Sequence, residues 1–174
     1  MPSRTAVDIR VETLDRLARL PGLVGIKDAS GDPTRVSAMA FRFGDRFTQL
    51  SGQDRSMLAF MTTGGDGAIS VVSNVAPMLT AAMVGAVRKS AYLEARRINA
   101  HLFPLIEALE LESNPCPIKC ALHCARGYSP AVRLPLVEVT EATLARVRAA
   151  VAEIDTLAID TCLLAERSLV PLSV

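Results

Sequence analysis

The sequence predicts an α/β fold, a parallel sheet under covering helices followed by an all-helical module. Two observations carry the first half of that statement. Short apolar runs alternate with helix-period segments as far as Lys89. The runs are near-continuous, as expected of strands buried on both faces. A third observation carries the second half: beyond Lys89 the strand signals stop, while apolar residues keep recurring at three and four.

Leu14, Leu17 and Ala18 share a helical face that stops at Pro21-Gly22. Leu23-Val24-Gly25-Ile26-Lys27 reads as the first strand. Pro33 suits a first helical position after Asp32, and Val36, Met39, Ala40 and Phe43 continue that helix. Phe47 to Ser51 is the second strand. Asp54 can cap the next helix, with Leu58 and Met61 inward. Gly64-Gly65-Asp66-Gly67 is a turn into the third strand, Ala68 to Val72, and Pro77 opens a helix through Met83 and Val87. Then Ala95, Ile98, Leu102, Leu105 and Leu109 define a long amphipathic helix. A second starts near Asn114 and runs over 115–125. Thr140 can cap a third that aligns Leu144, Val147, Val151 and Ile154. The expected division is 1–89 for the sheet part, 90–156 for the helical module and 157–174 for a tail.

The chain has 174 residues, 50% hydrophobic and 21% charged, the balance of a water-soluble globular chain able to bury a core. Its 19 basic and 18 acidic residues form no single-sign patch, which argues against nucleic acid and other polyanions as partners. Aromatic content of 4% and the lack of Trp leave few stacking platforms for single strands. Met1-Pro2-Ser3-Arg4 has no signal-peptide character, so a cytoplasmic chain with free thiols is expected. Gly67 to Val87 carries no charge and is long enough to span a bilayer, but Ser70, Ser73, Asn74 and Pro77 interrupt it. A strand followed by a helix accounts for it better, and no membrane association is expected.

Lys27 is the first candidate for chemistry. An ammonium group is costly to bury, so a lysine closing an apolar strand needs a partner or a task. Partial burial disfavours the charged amine and makes it nucleophilic toward carbonyls. The plain alternative is a solvated residue opening the loop 28–31. Cys116, Cys120 and Cys124 line one helical stripe beside His123; buried free thiols explain them better than a metal site. His101 reads as a helix surface residue.

The surrounding words decide more. Gly25-Ile26-Lys27-Asp28-Ala29-Ser30-Gly31-Asp32 resembles the Schiff-base lysine segment of the class I pyruvate-dependent aldolases. Five further segments agree in order with the dihydrodipicolinate synthase family. They are 50–54, 64–71, Ser73-Asn74-Val75-Ala76-Pro77, Asn114-Pro115-Cys116-Pro117-Ile118-Lys119 and Arg133-Leu134-Pro135-Leu136. The last two favour the synthases over sialic-acid and sugar-acid aldolases.

The resemblance implies a partial (β/α)8 TIM barrel, strands six to eight, with a C-terminal helical module. It implies that Lys27 condenses with pyruvate, that the backbone at Ile69 lies against the substrate, and that Gly52 leaves room for the adduct. Arg4 matches an arginine that places a substrate carboxylate, a task its planar fork suits. No metal or organic cofactor is implied. The implied reaction condenses pyruvate with aspartate semialdehyde in lysine and diaminopimelate synthesis, with a homo-oligomer or association with an intact homologue as the assembly. A sugar-acid aldolase or a truncated non-catalytic remnant are the alternatives. The family's Tyr-Asn-Val before the Pro-Ser-Arg-Thr segment, whose Tyr relays protons, has no counterpart, because Met1 stands directly before Pro2. The first five strands are expected to be missing with it. Gln53 replaces a more usual acid, and the stretch after Leu157 runs past the usual family end.

Overall fold

The structure, a computed structural model, describes residues 2–167, and side chains over 2–154 except those of Ser3 and Asp45. The elements are α1 (Pro2–Thr5), α2 (Val11–Leu17), β1 (Gly25–Asp28), α3 (Thr34–Phe43), β2 (Thr48–Ser51), α4 (Met57–Thr62), β3 (Gly67–Ala68), α5 (Pro77–Arg88), α6 (Tyr92–Leu109), α7 (Cys116–Arg126) and α8 (Glu141–Arg167). They fall into two compact units. One is the chain up to Val71 with Ala81–Asn99; the other is Val72–Thr80 with the chain from Ala100 onward.

In the first unit the strands pair in the order β1-β2-β3, all parallel. The register sets Lys27 beside Leu50 and Leu50 beside Gly67, with Asp28, Ser51 and Ala68 in the next row. Parallel strands joined through α3 and α4 are the βαβ arrangement that the alternating pattern predicted. The helices pack as their stripes require. Leu14 on α2 and Ala18 just after it are buried, as are Val36 and Met39 on α3, and Met57, Phe60 and Met61 on α4. Arg42 ties α3 to α2 through Asp15 and Glu12.

Several expectations need correcting here. The strands are not buried on both faces. Among the described residues the buried side chains of β1 and β2 are Asp28, Gln49 and Ser51, all polar, whereas Lys27 is exposed. Leu23 and Val24 precede β1 rather than belong to it, and Val24 is 72% exposed. The third strand is only Gly67–Ala68. Its partner β2 ends at Ser51, so the β-branched run beyond Ile69 has no ladder to join and turns into a 3-10 turn at Val72–Asn74. Asp54 does not cap α4; its Oδ2 accepts the Val71 N–H at 2.9 Å instead, supplying that bond where the strand stops. Leu58 is half-buried, and Ala40 points to solvent beside the 92% exposed Phe41.

The second unit is an apolar helical core. Leu102, Leu105 and Ile106 are buried on α6, Ile118 and Ala121 on α7, and Val147, Val151 and Ile154 on α8. Each buried Leu or Ile contributes about 1.5–3 kcal/mol. Thr140 caps α8 as expected, its Oγ1 accepting the Thr143 N–H at 3.4 Å, while Glu112 Oε1 accepts the Thr140 N–H at 2.9 Å and its hydroxyl at 2.8 Å. Helix α7 ends on Gly127 at φ 71°, a left-handed position that suits glycine. The last helix does not stop near Ile154 but continues to Arg167, into the stretch expected to be a tail; the expected tail's 168–174 lie outside the described residues. Among the described residues no helix is long and apolar enough to cross a membrane.

Candidate active site

The C-terminal ends of the three parallel strands converge on one edge of the sheet, where α/β proteins place reactive groups. Strand alternation puts Lys27 on the open face and the next residue, Asp28, on the face covered by α3. The two ends are stitched together just past the register. Gly52 N–H donates to Asp28 O at 2.6 Å, and Ile69 N–H donates to Ser51 O at 2.8 Å. Ser51 Oγ donates to Gln53 O at 3.1 Å and closes the turn that follows β2.

Gly52 and Lys27 form the closest pairing of expected site residues. A Cβ built on Gly52 would lie 2.7 Å from Lys27 Cε, 2.9 Å from Lys27 Cγ and 2.9 Å from Ala29 Cβ. The glycine therefore makes space for the lysine stem itself, which lies across it toward the strand ends. The expected reason for a glycine here was room for an adduct; the contact found is one step earlier. Ile69 follows β3, is 47% exposed, and its backbone is held by β2. Arg4 is an exposed residue of α1.

Sequence reasoning missed Arg35. From α3 its Nε donates to Asp28 Oδ2 at 2.8 Å, its Nη1 to Asp8 Oδ2 at 2.5 Å and its Nη2 to Ile9 O at 2.7 Å. The Asp28 side chain is 4% exposed, and its other oxygen accepts the Ser30 N–H at 2.8 Å. Burial works against the Arg35 charge, but Asp28 and then Asp8 outweigh it and hold the guanidinium pKa above its ordinary value. A signal was present in the sequence. An acid directly after a strand-end lysine must point to the opposite, helix-covered face, and a buried carboxylate there requires a cation.

The cysteines form a separate cluster in the helical unit. Cys116 and Cys120 line a cavity of about 180 Å³ with His123 and Arg148. Burial, and then the adjacent Cys124, push the Cys120 thiol up to about 11, so it is protonated at neutral pH and not a nucleophile. Among the described residues no three His, Cys, Asp or Glu side chains gather as a metal set. His101 lies exposed on α6. Lys119 donates to Ala131 O, which pins the loop after α7.

Comparison with known proteins fits this arrangement. The family model of the dihydrodipicolinate synthetases matches residues 1–154. A 4-hydroxy-tetrahydrodipicolinate synthase of Zymomonas mobilis is 48% identical over 151 residues, covering 86% of this chain and 52% of the relative. Among solved structures, the 4-hydroxy-tetrahydrodipicolinate synthase of Methylacidiphilum fumariolicum superposes with a TM-score of 0.86 at 34% identity, over 90% of this chain and 52% of that one. The chloride-inhibited dihydrodipicolinate synthase of Acinetobacter baumannii, complexed with pyruvate, gives 0.85 at 34% identity, over 89% and 53%. The chain thus spans about half the length of the curated relatives it matches.

Proposed function

The chain belongs to the dihydrodipicolinate synthetase family, and we propose that Lys27 is its imine-forming lysine, in a lyase that condenses pyruvate with aspartate semialdehyde. The observation that carries this reading is the Lys27 side chain, exposed on the open sheet face and laid across Gly52, with the strand end behind it fixed by buried Asp28.

The Lys27 amine adds to the keto carbon of pyruvate, and water leaves to give a protonated imine. That cation draws electrons from the methyl carbon, which loses a proton and becomes an enamine. The enamine carbon then attacks the aldehyde carbon, forming the new carbon–carbon bond. Attack of the semialdehyde's own amine on the imine closes the ring and releases Lys27. Arg4 holds a carboxylate, the Ile69 backbone flanks the bound pyruvate, and no metal or organic cofactor takes part. The pyruvate-bound relative, aligned over 89% of this chain, supports the choice of keto acid. The Asn114-to-Lys119 and Arg133-to-Leu136 segments support the synthase over sugar-acid aldolases.

Full turnover needs more of the family's length than these residues. Among the described residues the sheet has three strands, so β1 and β3 are edges. Those edges, and exposed Leu23 and Val24 before β1, suit further strands from an associating chain. The test is to join these residues to the N-terminal half of a family member. The joined protein should turn over both substrates, and Lys27→Ala should abolish turnover. The 174 residues alone should form the imine without turnover. Undiminished turnover in the joined Lys27→Ala protein would refute the reading.

A further inference from the structure

We propose that Arg35 is a positioning residue of this site: it docks the segment that follows Arg4 onto the strand end that carries Lys27. The inference rests on Lys27 being the imine lysine. Its basis is a three-way hydrogen-bonding fork. One arm reaches Asp28, the neighbour of Lys27, and the other two reach Asp8 and the Ile9 carbonyl, on the chain leading from α1. Two stretches remote in sequence, one bearing the candidate amine and one bearing the candidate carboxylate-binding arginine, thus share one guanidinium.

Burial and geometry separate this fork from an ordinary surface ion pair. The Arg35 and Asp28 side chains are 13% and 4% exposed, whereas Asp8 is 41% exposed. A desolvated, hydrogen-bonded pair holds its geometry far better than a solvated one. The arginine cannot be replaced by lysine without loss, because one ammonium on a flexible stem does not reproduce a planar three-way fork. On its far side the same strand end is held by the Gly52 N–H on Asp28 O. Asp28 is therefore fixed from both directions, and Lys27 beside it has little freedom in backbone direction. Arg42 supplies an internal contrast. It also bonds two acids, Glu12 and Asp15, but from the opposite end of α3 and onto α2 rather than the strand end.

The two arms make separable predictions. Pyruvate is titrated against the full chain in the presence of borohydride, and the reduced adduct on the Lys27 peptide is followed by mass spectrometry. Asp8→Asn, at a half-exposed position where the fold tolerates change, should raise the half-saturating pyruvate concentration on the order of tenfold and leave the saturated trapping rate unchanged. Arg35→Lys should raise the same concentration and also slow the saturated rate on the order of tenfold, because it loosens both arms. Arg42→Lys should change neither, whatever it does to stability. A purely structural role for Arg35 would lower the amount of folded protein without moving the half-saturating concentration. Native-like values of both parameters in Arg35→Lys, with the native chain labelled on Lys27, would overturn the positioning role and leave the lysine assignment standing. A native chain with no adduct on Lys27 would overturn the lysine assignment, and the positioning role with it.

Discussion

The strand unit and the helical unit both bury an apolar core, but the buried carboxylates, Asp28 and Asp54, belong to the strand unit. In the strand unit the buried polar side chains Asp28, Gln49, Ser51 and Asp54 gather at the sheet and its C-terminal end, each bonded to a neighbour. In the helical unit the largest fully buried side chains are Leu102, Leu105, Ile106, Val72, Val147 and Pro117, and the buried polar ones are the uncharged Thr80 and Thr143. Apolar packing needs only shape and area to be favourable, whereas every buried polar group must find a partner or cost stability. A protein retains such groups where it needs backbone and side-chain direction rather than stability. The contrast supports the proposal that the chemistry sits at the strand ends while the helices hold the fold together.

The largest test of that division is Leu105→Ala. Leu105 is fully buried, so the truncation should cost about 2–5 kcal/mol of stability. Denaturant unfolding would measure it. Pyruvate trapping on the remaining folded chain should be unaffected. If trapping fell in proportion to more than the folded fraction, the division of labour would be wrong.

Gly52→Ala should do the reverse. The new methyl would sit 2.7 Å from Lys27 Cε and must push the lysine stem aside. Trapping per folded molecule should slow by about tenfold, roughly 1.4 kcal/mol, while the 2.9 Å approach to Ala29 Cβ adds a smaller loss of stability than Leu105→Ala. Equal trapping rates would show that the lysine stem moves freely and that the glycine is incidental.

The amphipathic helices were legible in the sequence because their stripes are long. Ala95, Ile98, Leu102, Leu105 and Leu109 are all buried as their spacing required. The strands were legible in position and less so in extent. Ile69 to Val72 has strand propensity, but a strand needs a partner, and β2 had already ended. Lys27 could be singled out by its place at a strand end and by its motif. For Arg35 the sequence signalled only that Asp28 needs a cation; which one could not be chosen, since the other partners, Asp8 and Ile9, lie in a distant loop and the fork exists only after folding.

A smaller effect belongs to the helical unit. The Thr143 hydroxyl, and then the Thr140 N–H and hydroxyl, hold the Glu112 carboxyl below its ordinary pKa. A depressed folded-state value contributes stability that is present above the unfolded carboxylate pKa and lost as pH falls through the folded one. Thermal midpoints followed downward from pH 5 should therefore fall less in Glu112→Gln than in the native chain. Thr140→Ala, which removes the cap, should cost about 1 kcal/mol at neutral pH. Neither change should alter pyruvate trapping, and a pH dependence untouched by Glu112→Gln would remove this carboxylate from the account.

The most direct measurement is the location of the covalent bond. The chain is incubated with pyruvate and borohydride, digested, and mapped by mass spectrometry. The reduced adduct is expected on Lys27 and should disappear in Lys27→Ala. An adduct on Lys119 or Lys89, with Lys27 unmodified, would contradict the assignment of Lys27.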